Sequence, residues 1–178
     1  IKLYLEDTDT RNLDRLRAFA KERGLPMTEK PLSDTNWEES WKDNYPPQEV
    51  GNSLVVLPYW LEDTYETHRK KVILDPGLTF GTGSHATTRL CLTELEQRIH
   101  GGERVLDLGC GSGILSIAAL RLGAESAFAC DIDEKCVDVA YENAALNGIG
   151  KDRYTVRWGN VLTDAALRQE MGAGYDIV

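Results

Sequence analysis

The run Asp107-Leu108-Gly109-Cys110-Gly111-Ser112-Gly113 sets three alternate glycines directly after the apolar residues Val105 and Leu106 and ahead of an apolar helical pattern. Alternate glycines let a backbone bend sharply and approach a ligand closely, and the start of the following helix offers unpaired N–H groups to an anion. A dinucleotide fingerprint would need glycine at position 114, where this chain has Ile114, and no Gly-Lys-Ser/Thr follows the strand, so neither NAD nor a triphosphate is supported. Asp131 lies 22 residues after Gly109 and closes the next apolar run, Ala127 to Cys130. An acid there can accept both hydroxyls of a ribose lying across the strand ends, while Asp133 is better placed to cap the next helix. The pair asks for a nucleoside without a pyrophosphate. Asp107 on its own reads as a satisfied carboxylate at a strand end.

Upstream, Phe80-Gly81-Thr82-Gly83 reads as a flexible loop, with Ser84 as the N-cap of a helix from about residue 86 to 99. Capping explains Ser84 but not the clustering of Phe80, Thr82, His85 and Thr88 around one turn ahead of the glycine strand. His85 is equally well a polar wall of the site or a neighbour of the cap. Asn160, after Gly159, closes the third strand with ordinary turn chemistry.

These residues need elements to hold them. From Arg104 onward an apolar strand followed by a helix recurs: 105–108 then 114–122, 127–130 then 136–146, 154–158 then a shorter helix, and a last strand at 175–178. Such alternation predicts an α/β fold with a parallel sheet covered on both faces. Before it, residues 2–5 read as a strand, and Leu13, Leu16, Phe19 and Ala20 as a helix stopped at Gly24. Trp37, Trp41 and Tyr45 share one face of a second helix and are read as core. The apolar runs 54–57 and 72–74 read as a hairpin or linking strands. Pro46-Pro47 and Gly51-Asn52 suggest a boundary, giving domains of 1–50 and 51–178.

The glycine loop and Asp131 resemble the first motif and ribose-binding acid of the class I S-adenosylmethionine-dependent methyltransferases. The segment from Leu74 to Leu92 is similar to the one that precedes that motif in the ribosomal protein L11 methyltransferases, with Ala86 where proline is common. The stretch Asn36 to Tyr45 is similar to the linker that joins the recognition and catalytic domains of that family. The resemblance implies a Rossmann-like methyltransferase sheet, cut after its fourth strand and preceded by part of a small α/β recognition domain. It also implies S-adenosyl-L-methionine as cofactor, held by Thr88, Gly109, Asp131, Asp107, Gly111, Phe80, Thr82, Gly83 and Asn160. The substrate it implies is ribosomal protein L11, methylated on lysine amino groups, with the N-terminal amine as an open alternative. An acceptor-site Asn is expected beyond Val178, so the 178-residue chain is expected to turn over weakly or not at all. Other class I methyltransferases, acting on a small molecule or a glutamine, and a non-catalytic nucleoside-binding module remain the alternatives.

Composition agrees. With 20 Lys+Arg against 29 Asp+Glu the chain carries −9, which disfavours a phosphate backbone and suits a basic protein partner. Cys91, Cys110, Cys130 and Cys136 form no C-x-x-C pair and read as reduced thiols, so neither a zinc site nor any other metal is expected. No apolar run is long enough to span a bilayer, and a cytoplasmic monomer is the expectation.

Overall fold

A computed structural model describes residues 5, 9–29, 42, 45–77 and 85–178. Residues 2–4 of the expected first strand and the helix face of Trp37 and Trp41 lie outside them; Leu5 is described and is not in a strand, and Tyr45 is described and is not helical. The chain divides into two compact units, 1–41 and 42–178.

In the first unit, α1 (Thr10–Glu22) begins where Asp9 accepts a hydrogen bond from the Asn12 backbone N–H, and ends before Gly24 in a left-handed conformation. No residue of α1 is buried among its described neighbours. The division falls nine residues before the sequence-based boundary at residue 50. The cause is a short strand β1 (Gln48–Val50), which pairs antiparallel with β2 (Leu54–Pro58) and so belongs to the second unit.

β2 pairs in parallel with β3 (Lys70–Leu74), so of the two readings, a hairpin or linking strands, the hairpin is excluded; residues 59–69, starting with a 3-10 turn at Tyr59–Leu61, carry the chain back. Both strands are buried along their apolar residues, as parallel strands are. The β1–β2 turn is locked by Glu96 of α2 (Ala86–Arg98), whose carboxylate accepts from the backbone N–H groups of Asn52 (2.9 Å) and Ser53. A Cβ at Gly51, which sits at φ +55°, would collide with that carboxylate. Burial opposes ionisation of Glu96, but the Ser53 and Asn52 donors and the Arg69 charge outweigh it and hold the carboxyl below its usual range. A depressed folded-state pKa stabilises above the unfolded value of about 4.3 and is lost as pH falls through the folded one. Glu96→Gln is therefore expected to lower Tm by about 3–6 °C at pH 7. The gap to wild type should narrow towards pH 3.5 in differential scanning calorimetry; a constant gap would mean that the carboxylate charge is irrelevant.

The second sheet is built from β4 (Arg104–Leu108), β5 (Ser126–Asp131) and β6 (Tyr154–Trp158), all parallel and in that spatial order. α3 (Ile114–Leu122), α4 (Lys135–Leu146) and α5 (Ala165–Met171) follow the three strands in turn. Alternation along the strands divides the core. Val105, Ala127, Ala129 and Val156 belong to one cluster with α3, α4, β2 and β3, whereas Leu106, Phe128 and Cys130 pack with Leu167 of α5. The expected final strand is reduced to a single parallel bridge between Ile177 and Val105, on the side of β4 away from β5. Among the described residues no helix is long and apolar enough to cross a membrane.

Candidate functional site

β4 delivers Asp107 half-buried at its C-terminal end, where Oδ2 accepts from the Ser116 hydroxyl at 2.7 Å. Burial lifts this carboxyl above its usual range against the opposing Ser116 hydrogen bonds. The loop beyond turns on Gly109, Gly111 and Gly113, all left-handed at φ +82°, +53° and +78°. It is stitched to the end of β5 by the N–H groups of Gly109 and Cys110, both donating to the Cys130 carbonyl (2.8 and 3.2 Å). A Cβ on Gly113 would come within 2.8 Å of the buried Tyr154 hydroxyl and 3.1 Å of Ala140 Cβ. Only glycine brings α3 this close to β6 and α4.

Asp131 closes β5 and joins three loops. Its Oδ2 accepts from Gly111 N–H at 2.9 Å, its Oδ1 from Asp133 N–H at 3.0 Å, and its carbonyl from Gly159 N–H at 2.9 Å. The Cys136 thiol is a further side-chain partner of this carboxylate, which is thereby held rigid at the end of β5. Asp133 in turn accepts from Lys135 N–H at the start of α4, the capping role expected of it. Beneath Asp131, burial together with the charges of Asp131 and Asp133 pushes the Cys136 thiol up to about 11. Cys110, Cys130 and Cys136 are buried free thiols, and Cys91 is exposed.

Three apolar residues escaped the sequence reading. Ile132 follows Asp131 and is 74% exposed, Trp158 ends β6 at 59%, and Leu162 lies in the next loop at 83%. The Trp158 indole N–H donates to the Ile132 carbonyl at 3.1 Å, so two of them share one edge of the cleft. Large apolar side chains left in water just past the carboxyl ends of parallel strands were the available signal, because ligands of open α/β sheets bind there.

The remaining candidates divide. Asn160 uses its Oδ1 to accept from Leu162 N–H at 3.0 Å, the turn chemistry that competed with a ligand role. His85 is exposed and is itself the N-cap of α2, its ring accepting from Thr87 N–H, in the place the sequence assigned to Ser84. Thr88 stands half-buried in the first turn of α2. Phe80, Thr82, Gly83 and Ser84 lie outside the described residues. A wide cavity of about 710 Å³ opens at the opposite ends of the strands, lined by Arg104, Glu125 and Arg153. Both guanidinium groups there are bonded to backbone carbonyls, of Gly174 and Ala124, which marks that cavity as structural. Among the described residues no group of three or more His, Cys, Asp and Glu side chains is arranged to hold a metal ion.

A parallel sheet whose first strand runs into a left-handed glycine loop, and whose second ends on an acid tied to that loop, is the Rossmann-like fold of the class I methyltransferases. Residues 2–178 match the family profile of ribosomal protein L11 methyltransferase (PrmA), and the chain belongs to that family. It is 49% identical over 140 residues to the ribosomal protein L11 methyltransferase of Lactococcus lactis subsp. lactis, covering 78% of this chain and 44% of that protein. To the protein of the same name from Legionella pneumophila (strain Corby) it is 46% identical over 142 residues, covering 80% and 49%. The crystal structure of the ribosomal protein L11 methylase from Lactobacillus delbrueckii subsp. bulgaricus superposes with a TM-score of 0.60 at 37% identity, over 68% of this chain and 61% of that one. The chain thus spans about half the length of the curated relatives it matches.

Proposed function

We propose that this chain is the cofactor-holding part of an S-adenosylmethionine-dependent N-methyltransferase whose substrate is ribosomal protein L11. The observation that carries the reading is the hydrogen bond from Gly111 N–H to Asp131, which makes the anion-binding loop and the ribose acceptor two sides of one cleft. The cleft fits the cofactor. Left-handed glycines admit its amino-acid end, the braced Asp131 carboxylate is the proposed acceptor for the ribose, and Ile132, Trp158 and Leu162 offer an apolar edge for the adenine. Asp107, whose carboxyl is pushed up by burial, gains from an ammonium group brought beside it. Thr88 joins the proposed set from the first turn of α2, Asn160 joins it with an Oδ1 already bonded to Leu162 N–H, and Phe80, Thr82 and Gly83 are proposed on the family resemblance alone.

When bound, the cofactor supplies an electrophilic methyl on a sulfonium that is a good leaving group. The protein's work is to hold that group still and to exclude water, since a lysine of pKa about 10.4 must shed a proton before its nitrogen can attack. No covalent enzyme intermediate is required. A net charge of −9 favours approach of a basic protein and disfavours RNA, and modification of a ribosomal protein points to a cytoplasmic enzyme. Residues 1–41 are proposed as part of the unit that recognises the substrate.

Two measurements test this. Transfer of labelled methyl groups from S-adenosylmethionine to purified ribosomal protein L11 by the full-length protein is the expected activity, and its absence would overturn the assignment. Titration with S-adenosylhomocysteine should alter Trp158 emission, an effect abolished in Trp158→Phe; an unaltered wild-type spectrum would remove Trp158 from the cleft edge.

A further inference from the structure

Two asparagines one turn apart, Asn143 inside α4 and Asn147 as its C-cap, are 0% and 7% exposed. A side-chain amide is neutral-to-unfavourable inside a helix and expensive to bury without partners, so each needs an explanation. Asn147 behaves as a strand would. Its Oδ1 accepts from Ile73 N–H at 2.9 Å and its Nδ2 donates to the Ile73 carbonyl at 2.7 Å, satisfying the edge of β3. Asn143 reaches two different segments. Its Oδ1 accepts from Asp75 N–H at 2.9 Å, just past the end of β3, and its Nδ2 donates to the Ser112 carbonyl at 2.9 Å, in the middle of the glycine loop.

The Ser112 contact has a geometric consequence. The peptide joining Ser112 to Gly113 is planar and trans, so pulling its carbonyl toward Asn143 turns the Gly113 N–H the opposite way. That N–H donates to the Cys110 carbonyl at 2.8 Å and closes the 110–113 turn. The same amide fixes Asp75, whose carboxylate accepts from Gly77 N–H at 2.9 Å and shapes the Asp75-Pro76-Gly77 turn. We infer that Asn143 is a positioning residue: one buried amide sets the curvature of the glycine loop and anchors the exit of β3 to it, and so governs cofactor affinity without touching the cofactor. Asn147 fastens β3 with as many hydrogen bonds yet makes none to the loop, which provides an internal control. The inference rests on the proposed cofactor reading.

The test uses the full-length protein and S-adenosylhomocysteine in isothermal titration, with methyl-transfer kinetics alongside. Asn143→Ala is expected to raise Kd and the KM for S-adenosylmethionine about tenfold, with kcat within about twofold. Asn147→Ala should lower Tm comparably and leave both constants near wild type. Wild-type affinity in Asn143→Ala, or equal weakening in both variants, would overturn the inference alone. Absence of binding by the wild-type protein would overturn the functional reading and this inference with it. Should Asn143→Ala fail to fold, hydrogen exchange on the wild type decides. Protection of the Asp75 amide should rise with that of the glycine-loop amides when S-adenosylhomocysteine is added, and an Asp75 amide indifferent to ligand would refute the coupling.

Discussion

Asp131→Ala is expected to weaken S-adenosylhomocysteine binding by two to three orders of magnitude, measured by titration calorimetry on the full-length protein. Two losses combine. The ribose loses a charged acceptor for its diol, and charge-assisted hydrogen bonds contribute about 1.5–3 kcal/mol each. The loop loses its own brace, because Gly111 N–H and Asp133 N–H both donate to this carboxylate. Asp131→Asn separates the two. Its amide can accept from one of those N–H groups but must turn its own NH2 toward the other donor, so a loss between the wild-type and alanine values is expected. Wild-type affinity in Asp131→Ala would remove the acid from the cofactor site altogether.

Gly113→Ala is expected to destabilise the protein more than Gly109→Ala, with Tm lower by about 5–15 °C. At φ +78° an L-residue is strained by roughly 1–2 kcal/mol. The new methyl would also lie 2.8 Å from the Tyr154 hydroxyl and 3.1 Å from Ala140 Cβ, and overpacking of this kind costs about 1–3 kcal/mol. Tyr154 has nowhere to withdraw, being fully buried between α3 and α4. For a domain of this size each kcal/mol moves Tm by about 2–4 °C. Gly109→Ala supplies the contrast: its φ is similar, +82°, but no atom lies within 4 Å of the added methyl, so only the backbone strain remains. Equal Tm losses in the two variants, by differential scanning calorimetry, would show that packing against Tyr154 contributes nothing.

Much of the second sheet was legible in the amino-acid sequence. The strands at 104–108, 126–131 and 154–158 follow from short apolar runs, and α3 and α4 from helical spacing that begins directly after turn residues. Around residues 46–52 the structure differs from the sequence reading for a definite reason. Two prolines and Gly51-Asn52 look like a boundary when only local conformation is considered, but Glu96, more than forty positions away, captures the turn and makes it a hairpin. The direction of the pairing between β2 and β3 was left open, since an apolar strand carries no mark of the direction of its neighbour.

Within the site, local sequence determined what local geometry needs: glycines where φ must be positive, an acid at the end of a strand, an asparagine where a turn closes. Tertiary structure decided everything that depends on which distant backbone group arrives beside a side chain. It made Asp131 the brace of the glycine loop, set Ile132 and Trp158 along one edge, and turned two unremarked asparagines, one inside α4 and one at its C-cap, into partners for Ile73, Asp75 and Ser112. The physical reason is that periodicity and turn chemistry act over a few residues, whereas a buried polar group is satisfied by whatever the folded chain brings within 3 Å of it.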